Sequence, residues 1–174
     1  MAETAKRVLW AVKQLQLQPD DTILEIGCGD GSALSLIAPR LTEGRIVGVD
    51  RSNLAIRAAE KRNREGLKTG TVSLVQSELA ELRLSDQFVK AFALNVNVFW
   101  HRPKKELAVL RGLLAPGGQL LLMFEPPSAD QIDHIAELTR RNLEANGFEV
   151  TGKVRAKLQA SAGLLIKAVV GASS

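Results

Sequence analysis

Hydrophobic positions along this chain switch repeatedly between helical and extended spacing. From Glu3 to Gln16, the positions Val8, Leu9, Val12 and Leu15 recur at helical intervals and predict an opening helix with one buried face. Pro19-Asp20-Asp21 breaks it. Thr22 to Ile26 is a short apolar run that predicts a buried strand. A helix follows Gly31, capped by Ser32 and fading between Pro39 and Gly44. Arg45 to Val49 predicts a second strand, and Asn53 to Gly66 a helix with Leu54, Ile56, Ala58 and Ala59 inward. Thr71 to Gln76 is a third strand; a short turn with Leu79 and Leu82 leads to Phe88, and Lys90 to Asn95 is a fourth. Pro103 suits the first turn of a helix running to Leu114, and Gln119 to Phe124 is a fifth strand. The prolines of Glu125-Pro126-Pro127-Ser128 force an extended loop. A helix from Ala129 to Asn146 is closed by Gly147. Phe148 to Ala156 and Gly163 to Val169 then form a hairpin through a polar turn, Lys157 to Ser161.

Strands alternating with helices imply a mainly parallel sheet covered on both faces. Ligands of such sheets bind beyond the carboxyl ends of the strands. The chain shows no linker, repeat or low-complexity segment, so residues 1–174 are expected to form one domain, with an N-terminal helix 3–16 and no cap domain.

The first strand runs into Glu25-Ile26-Gly27-Cys28-Gly29-Asp30-Gly31. A glycine turn lets backbone approach a ligand closely, since no Cβ holds it off. Asp50 ends the second apolar run and is placed to take the hydroxyls of a ribose. The pair points to a nucleoside-containing cofactor. A dinucleotide fingerprint requires a third glycine where this chain has Ser32, and its pyrophosphate would be repelled by Glu25 and Asp30. Those acids suit a cofactor bearing an ammonium and a sulfonium, as S-adenosylmethionine (SAM) does. The alternative role for Glu25 is a strand-end residue in a hydrogen-bond network.

With these motifs the chain resembles the class I SAM-dependent methyltransferases. Asp50-Arg51-Ser52 is similar to the family's acidic end of strand two. Val72 to Leu79, with Ser77-Glu78-Leu79 after the strand, is similar to its third strand. Leu110 to Leu120, containing Pro116-Gly117-Gly118, is similar to its turn into strand five. The resemblance covers about Thr22 to Val169 and specifies no substrate. It implies a Rossmann-like α/β fold whose seven strands follow the order 3-2-1-4-5-7-6, the last strand antiparallel. It also implies a cofactor site of Glu25, Gly27, Cys28, Gly29, Gly31, Asp50, Arg51, Glu78, Leu79 and Asn95.

Composition narrows the partners. An apolar content of 45% fits a globular protein, and no apolar run approaches the roughly 20 residues of a membrane helix. The first seven residues are polar, without the apolar core of a signal peptide, so a cytoplasmic location is expected. One cysteine, Cys28, and two histidines, His101 and His134, offer no structural-zinc cluster, and no metal is expected. Cys28 reads as a small residue packed in the turn. The net charge is +4, and the densest basic stretch, Arg51 to Lys68, is interleaved with Glu60 and Glu65. It reads as a solvated helix face or as a surface for an anionic partner such as nucleic acid. No aromatic residue interleaves with it for base stacking.

Substrate contacts are expected beyond strand four, in Asn95-Val96-Asn97-Val98-Phe99-Trp100-His101-Arg102-Pro103. This stretch lacks the family's Asn/Asp-Pro-Pro-aromatic pattern for adenine amino methylation and its Pro-Cys signature for cytosine methylation. Asn95 and Asn97 alternate on an extended chain and would share one side; either binds ligand or bonds local backbone. Asn97, Trp100 and His101 are the substrate-binding candidates. His101 is also a candidate general base, since an imidazole titrates near neutrality, or else a surface histidine before a turn. Three functions stay open: SAM-dependent methyl transfer by in-line displacement to a small or medium-sized acceptor; modification of RNA or protein recruited through basic surfaces; and cofactor binding without catalysis. A small capless domain with open loops is also compatible with a homodimer.

Overall fold

A computed structural model describes residues 3–126, 128, 130–158 and 161–171, with side chains of the first helix described from Lys6. The elements are α1 (Glu3–Gln14), β1 (Thr22–Ile26), α2 (Ser32–Ile37), β2 (Arg45–Asp50), α3 (Asn53–Arg62), α4 (Arg64–Thr69), β3 (Val72–Gln76), β4 (Phe88–Leu94), α5 (Lys104–Leu113), β5 (Leu114–Phe124), α6 (Gln131–Ala145), β6 (Phe148–Leu158) and β7 (Ser161–Val170). The seven strands form one sheet in the order β3-β2-β1-β4-β5-β7-β6, as the family resemblance implies. All pairs through β5 are parallel, and β7 runs antiparallel to both of its neighbours.

Alternation along the strands divides the core in two. Leu24 and Ile26 of β1 point into one layer with Leu107 and Leu110 of α5 and Ile132, Ile135 and Leu143 of α6. Ile23 points into the other layer, with Phe92 and Met123, beneath Val8, Ala11, Val12 and Leu15 of α1 and Leu34 and Ile37 of α2. Each fully buried side chain of this size contributes roughly 1.5–3 kcal/mol. At the amino ends of the strands, Lys90 Nζ donates to Asp21 Oδ2 at 2.5 Å, and that oxygen also accepts from the Gln18 backbone N–H. This buried pair ties the start of β1 to β4, far from the carboxyl ends where the site lies.

Several boundaries differ from the sequence reading. The first helix ends at Gln14, because Gln16 takes a positive φ of 48°. Leu9 lies at that helix's exposed rim, and Leu54, expected inward, is 80% exposed. The cap of α2 is Gly31 (φ 73°) rather than Ser32, which is the first helical residue. The single helix expected from Asn53 to Gly66 is two helices, split at Asn63, whose backbone leaves the helical region at φ −109°, ψ 27°. β4 begins at Phe88 and ends at Leu94. The helix entered through Pro103 begins at Lys104 and stops at Leu113. β5 starts at Leu114, and its pairing with β4 slips between Phe88 and Lys90 while β5 spends Ala115 to Gly118 in a bulge. The extended run assumed for Asn95 to Asn97 is absent. Asn95 has φ 58°, and Asn97 opens a 3-10 turn through Trp100, so the two side chains are not related by strand alternation. α6 begins at Gln131, and the hairpin strands reach Leu158 and start again at Ser161. Pro127, Ala129, Gln159 and Ala160 lie outside the described residues.

Candidate functional site

The site forms where β1 and β2 end. Gly27, Gly29 and Gly31 all have positive φ, between 54° and 73°, which L side chains rarely adopt. At Gly27 a Cβ would also stand 2.7 Å from Val96 Cγ2; at Gly31 it would stand 2.4 Å from Asn63 Nδ2. The turn is tied to β2 because the N–H groups of Gly27 and Cys28 both donate to the Val49 carbonyl, at 2.8 and 3.0 Å. Asn63, 5% exposed, fixes the turn from behind: its Nδ2 donates to the Gly31 and Ala59 carbonyls.

Asp50 stands at the end of β2, oriented by its own neighbours. Oδ2 accepts from the Gly29 N–H at 3.0 Å, and Oδ1 accepts from the Ser52 N–H at 2.9 Å. A carboxylate held this way keeps further lone pairs for hydroxyl donors. In front of it opens a cavity of about 620 Å³, lined by Gly27, Asp50, Arg51, Glu78, Leu79, Asn95 and Asn97 among the expected residues. Val96 and Val98, from the stretch expected to meet the substrate, and Ile26, Val49, Ser77, Leu94 and Glu106, which were not sequence candidates, complete the lining. Ser77 follows β3 and donates its N–H to the Asp50 carbonyl, so it was within reach of the strand-end rule. Glu106 lies on α5 and carries no local signal. Arg51 and Glu78 face each other across the rim, 3.7 Å apart and both well exposed.

A second, smaller cavity of about 150 Å³ lies on the α1 side of the glycine turn. Glu25, Cys28 and Gly29 line it, with Asp30, Gly27 and Asn95. Glu25 shares the strand face of Ile23, which is the face covered by α1. It is 4% exposed, and its Oε2 has no hydrogen-bond partner among the described residues. Burial pushes its carboxyl well above the ordinary value, and the charges of Asp30 and Asp50 push it further. Partial burial raises Asp30 too, but hydrogen bonds from Ser32 and the Arg62 charge outweigh it, and the net shift is downward. Burial, then Glu25 and Asp50, push the Cys28 thiol up to about 12, so it stays a protonated, unreactive packing group.

The structure separates the remaining candidates. Gly31 lines neither cavity and serves the turn's geometry. Asn95 lines both cavities, and its Oδ1 accepts from the Glu125 N–H at 2.7 Å, a bond across the sheet's end rather than to local backbone. Trp100 and His101 line neither cavity. Their rings stack with centroids 3.9 Å apart, and Asn142 Nδ2 donates to the His101 and Phe99 carbonyls. His134 is on α6, away from the turn. One residue absent from the sequence reading enters the smaller cavity: Arg7 of α1, whose NH1 donates to Glu125 at 3.0 Å. Among the described residues no cluster of His, Cys, Asp or Glu could hold a metal, and no helix is long and apolar enough to cross a membrane.

The donor set fits a sulfonium nucleoside. An orphaned buried carboxylate, a ribose-height carboxylate and a backbone cradle of positive-φ glycines match an ammonium, a diol and a close-packed thioether chain. Residues 23–118 match the model of a methyltransferase domain. The chain is 27% identical over 145 residues to an uncharacterized methyltransferase, YdaC, of Bacillus subtilis (strain 168), covering 80% of this chain and 78% of that protein. It is 27% identical over 122 residues to a trans-aconitate 2-methyltransferase of Rhodopseudomonas palustris (strain BisA53), covering 70% of this chain but only 45% of the relative. Its fold is similar to the crystal structure of magnesium protoporphyrin IX methyltransferase (ChlM) from Synechocystis PCC 6803 with bound SAM, with TM-score 0.69 and 23% identity over 93% of this chain and 75% of that one. Sheet order, glycine turn and matched domain agree, and the chain belongs to the class I SAM-dependent methyltransferases.

Proposed function

We propose that this methyltransferase acts on a small-molecule acceptor, reached between Asn97, the end of β5 and α1. The observation that carries the reading is the confinement of the glycine turn. Glu25 beneath it is buried, its Oε2 unpartnered among the described residues, while Arg7, paired with Glu125, lines the space on the α1 side. An acceptor entering there must be narrow. The relatives named as acting on trans-aconitate and on magnesium protoporphyrin IX support small acceptors as a class.

Each residue then has a defined task. Asp50 would accept from the ribose hydroxyls, and Arg51, Leu79 and Glu78 would border the base. The Glu25 carboxylate and the backbone around Gly27 and Asn95 would receive the amino group. SAM held there would supply a methyl carbon on a positive sulfur, open to in-line displacement by an acceptor lone pair with a neutral thioether leaving. The protein's contribution is alignment, worth at most roughly 7–11 kcal/mol. Asn97, at the rim, orients the acceptor. A base is required only for acceptors that must lose a proton before attack.

The test is incubation with methyl-labelled SAM and a panel of carboxylic acids, phenols, thiols and amines, followed by fractionation. Label is expected in a low-molecular-weight product. Label in an RNA or protein fraction instead would overturn the small-acceptor reading. Intact cofactor binding with no transfer to any fraction would leave a cofactor-binding protein without catalysis.

A further inference from the structure

Arg7 occupies an unusual position for a residue on the outer helix of an α/β fold. It stands one turn before Ala11 and beside Val8, on the buried face of α1, and reaches the end of β5. Its NH1 bonds Glu125, whose side chain is only 11% exposed. Its Nε is buried without a partner among the described residues. Leaving a guanidinium N–H buried and unbonded costs roughly 1–3 kcal/mol, more for a charged group. On the same cavity wall lies the other orphan of the site, the Glu25 Oε2. The two opposite charges form no ion pair with each other among the described residues, although Glu25 and the Arg7 Nε are both buried and both residues border the same space of about 150 Å³. A cavity with an unpartnered carboxyl group on its floor and a half-used cation on its wall is built for a ligand that carries an ammonium beside a carboxylate.

We propose that Arg7 is a carboxylate-binding residue, and that a ligand carboxylate completes the donor set that Glu125 satisfies only in part. Arginine suits this because its planar fork can hold one carboxylate through Nε and a terminal nitrogen together. With Glu25 taking the ammonium, the nearest carboxylate is the one on the amino-acid end of the cofactor. The other source of the same chemistry is a carboxylate on the acceptor. The inference rests on the cofactor placement proposed above. It adds to that placement a residue from α1, which thereby couples the outer helix and the loop after β5 to ligand binding.

The experiment is titration calorimetry of the wild type, Arg7→Gln and Arg7→Lys with two probes. S-adenosylhomocysteine carries the amino-acid end; 5′-methylthioadenosine is the same nucleoside thioether without it. Arg7→Gln is expected to weaken S-adenosylhomocysteine tenfold or more and to leave methylthioadenosine unchanged, while Arg7→Lys, which keeps the charge but not the fork, falls between. In a second arm, citrate is titrated into the S-adenosylhomocysteine complex. Citrate binding that is lost in Arg7→Gln, with nucleoside affinities unchanged, also supports the proposal and assigns the carboxylate to the acceptor. No effect of Arg7→Gln in either arm overturns it. So does an equal loss for both nucleosides, which marks Arg7 as a support for the fold; thermal melting of each variant accompanies the titrations. If the wild type binds neither nucleoside, the cofactor placement itself fails, and that result is distinct from a failure of Arg7 alone.

Discussion

Glu25 is held where a carboxylate is least comfortable. Desolvation and the nearby Asp30 and Asp50 charges raise its proton affinity, and Oε2 receives no hydrogen bond. Such a group destabilises the folded protein as soon as it must ionise. Its folded affinity lies above the unfolded one, near 4.5, so its stabilising contribution is whole below that pH. The contribution is lost as pH rises from there through the folded value. Glu25→Gln removes the loss. In melts taken from about pH 4 to about pH 9, the variant should gain on the wild type as pH rises, by about 2–10 °C at the upper end for an orphan worth roughly 1–3 kcal/mol. It should also bind SAM at least tenfold more weakly, since the ammonium loses its counter-charge. Equal pH profiles for the two proteins would refute the assignment. The candidate status of Glu25 was visible in the sequence because an acid in an otherwise apolar strand demands a reason. Arg7 was not visible, because only the packing of α1 across β1 and β5 brings it to the glycine turn.

At the scale of elements, the glycine turn depends on a helix that breaks. The sequence from Asn53 to Gly66 keeps a continuous helical pattern, and nothing local announces the interruption at Asn63. The break becomes intelligible once the Asn63 side chain is seen donating to Gly31 and Ala59 from a buried position. A tertiary demand, support of the turn between β1 and α2, overrides helix propensity. Asn63→Ala should therefore cost about 1–3 kcal/mol of stability, through the two buried side-chain hydrogen bonds it removes. It should also weaken cofactor binding several-fold, although Asn63 lines neither cavity; denaturant titration and calorimetry on one preparation check both. A similar conflict explains the loop after β4. Asparagine tolerates the left-handed backbone found at Asn95 (φ 58°), so alternation stops there and the strand does not continue into Asn97. The slip in β4–β5 pairing follows from the Pro116-Gly117-Gly118 run, which the sequence marked as a turn but not as a bulge within β5.

On the scale of the whole molecule, the sheet order and the two-layer core were legible because strand and helix patterns alternate and four motifs occur in the family's order. The proposed cofactor end of the site was legible for the same reason. Strand ends fix Gly27 and Asp50 in space, and their residue types disclose the chemistry. At the proposed acceptor end the individual residues that face the ligand were not legible, since α1, the β4 loop and the β5 loop come together only after folding. The basic surface of α3 and α4 is partly committed within the protein, with Arg62 bonded to Asp30 at 2.6 Å. The central claim is that Asp50 and the glycine turn hold the nucleoside of SAM. Calorimetric titration of wild type and Asp50→Ala with SAM, S-adenosylhomocysteine and NAD tests it most directly. The account predicts that the wild type binds the first two and not NAD, and that Asp50→Ala loses both by tenfold or more, because two hydroxyl partners and the Gly29 tether go together. Binding of NAD in preference, or equal affinity for SAM in both proteins, would contradict it.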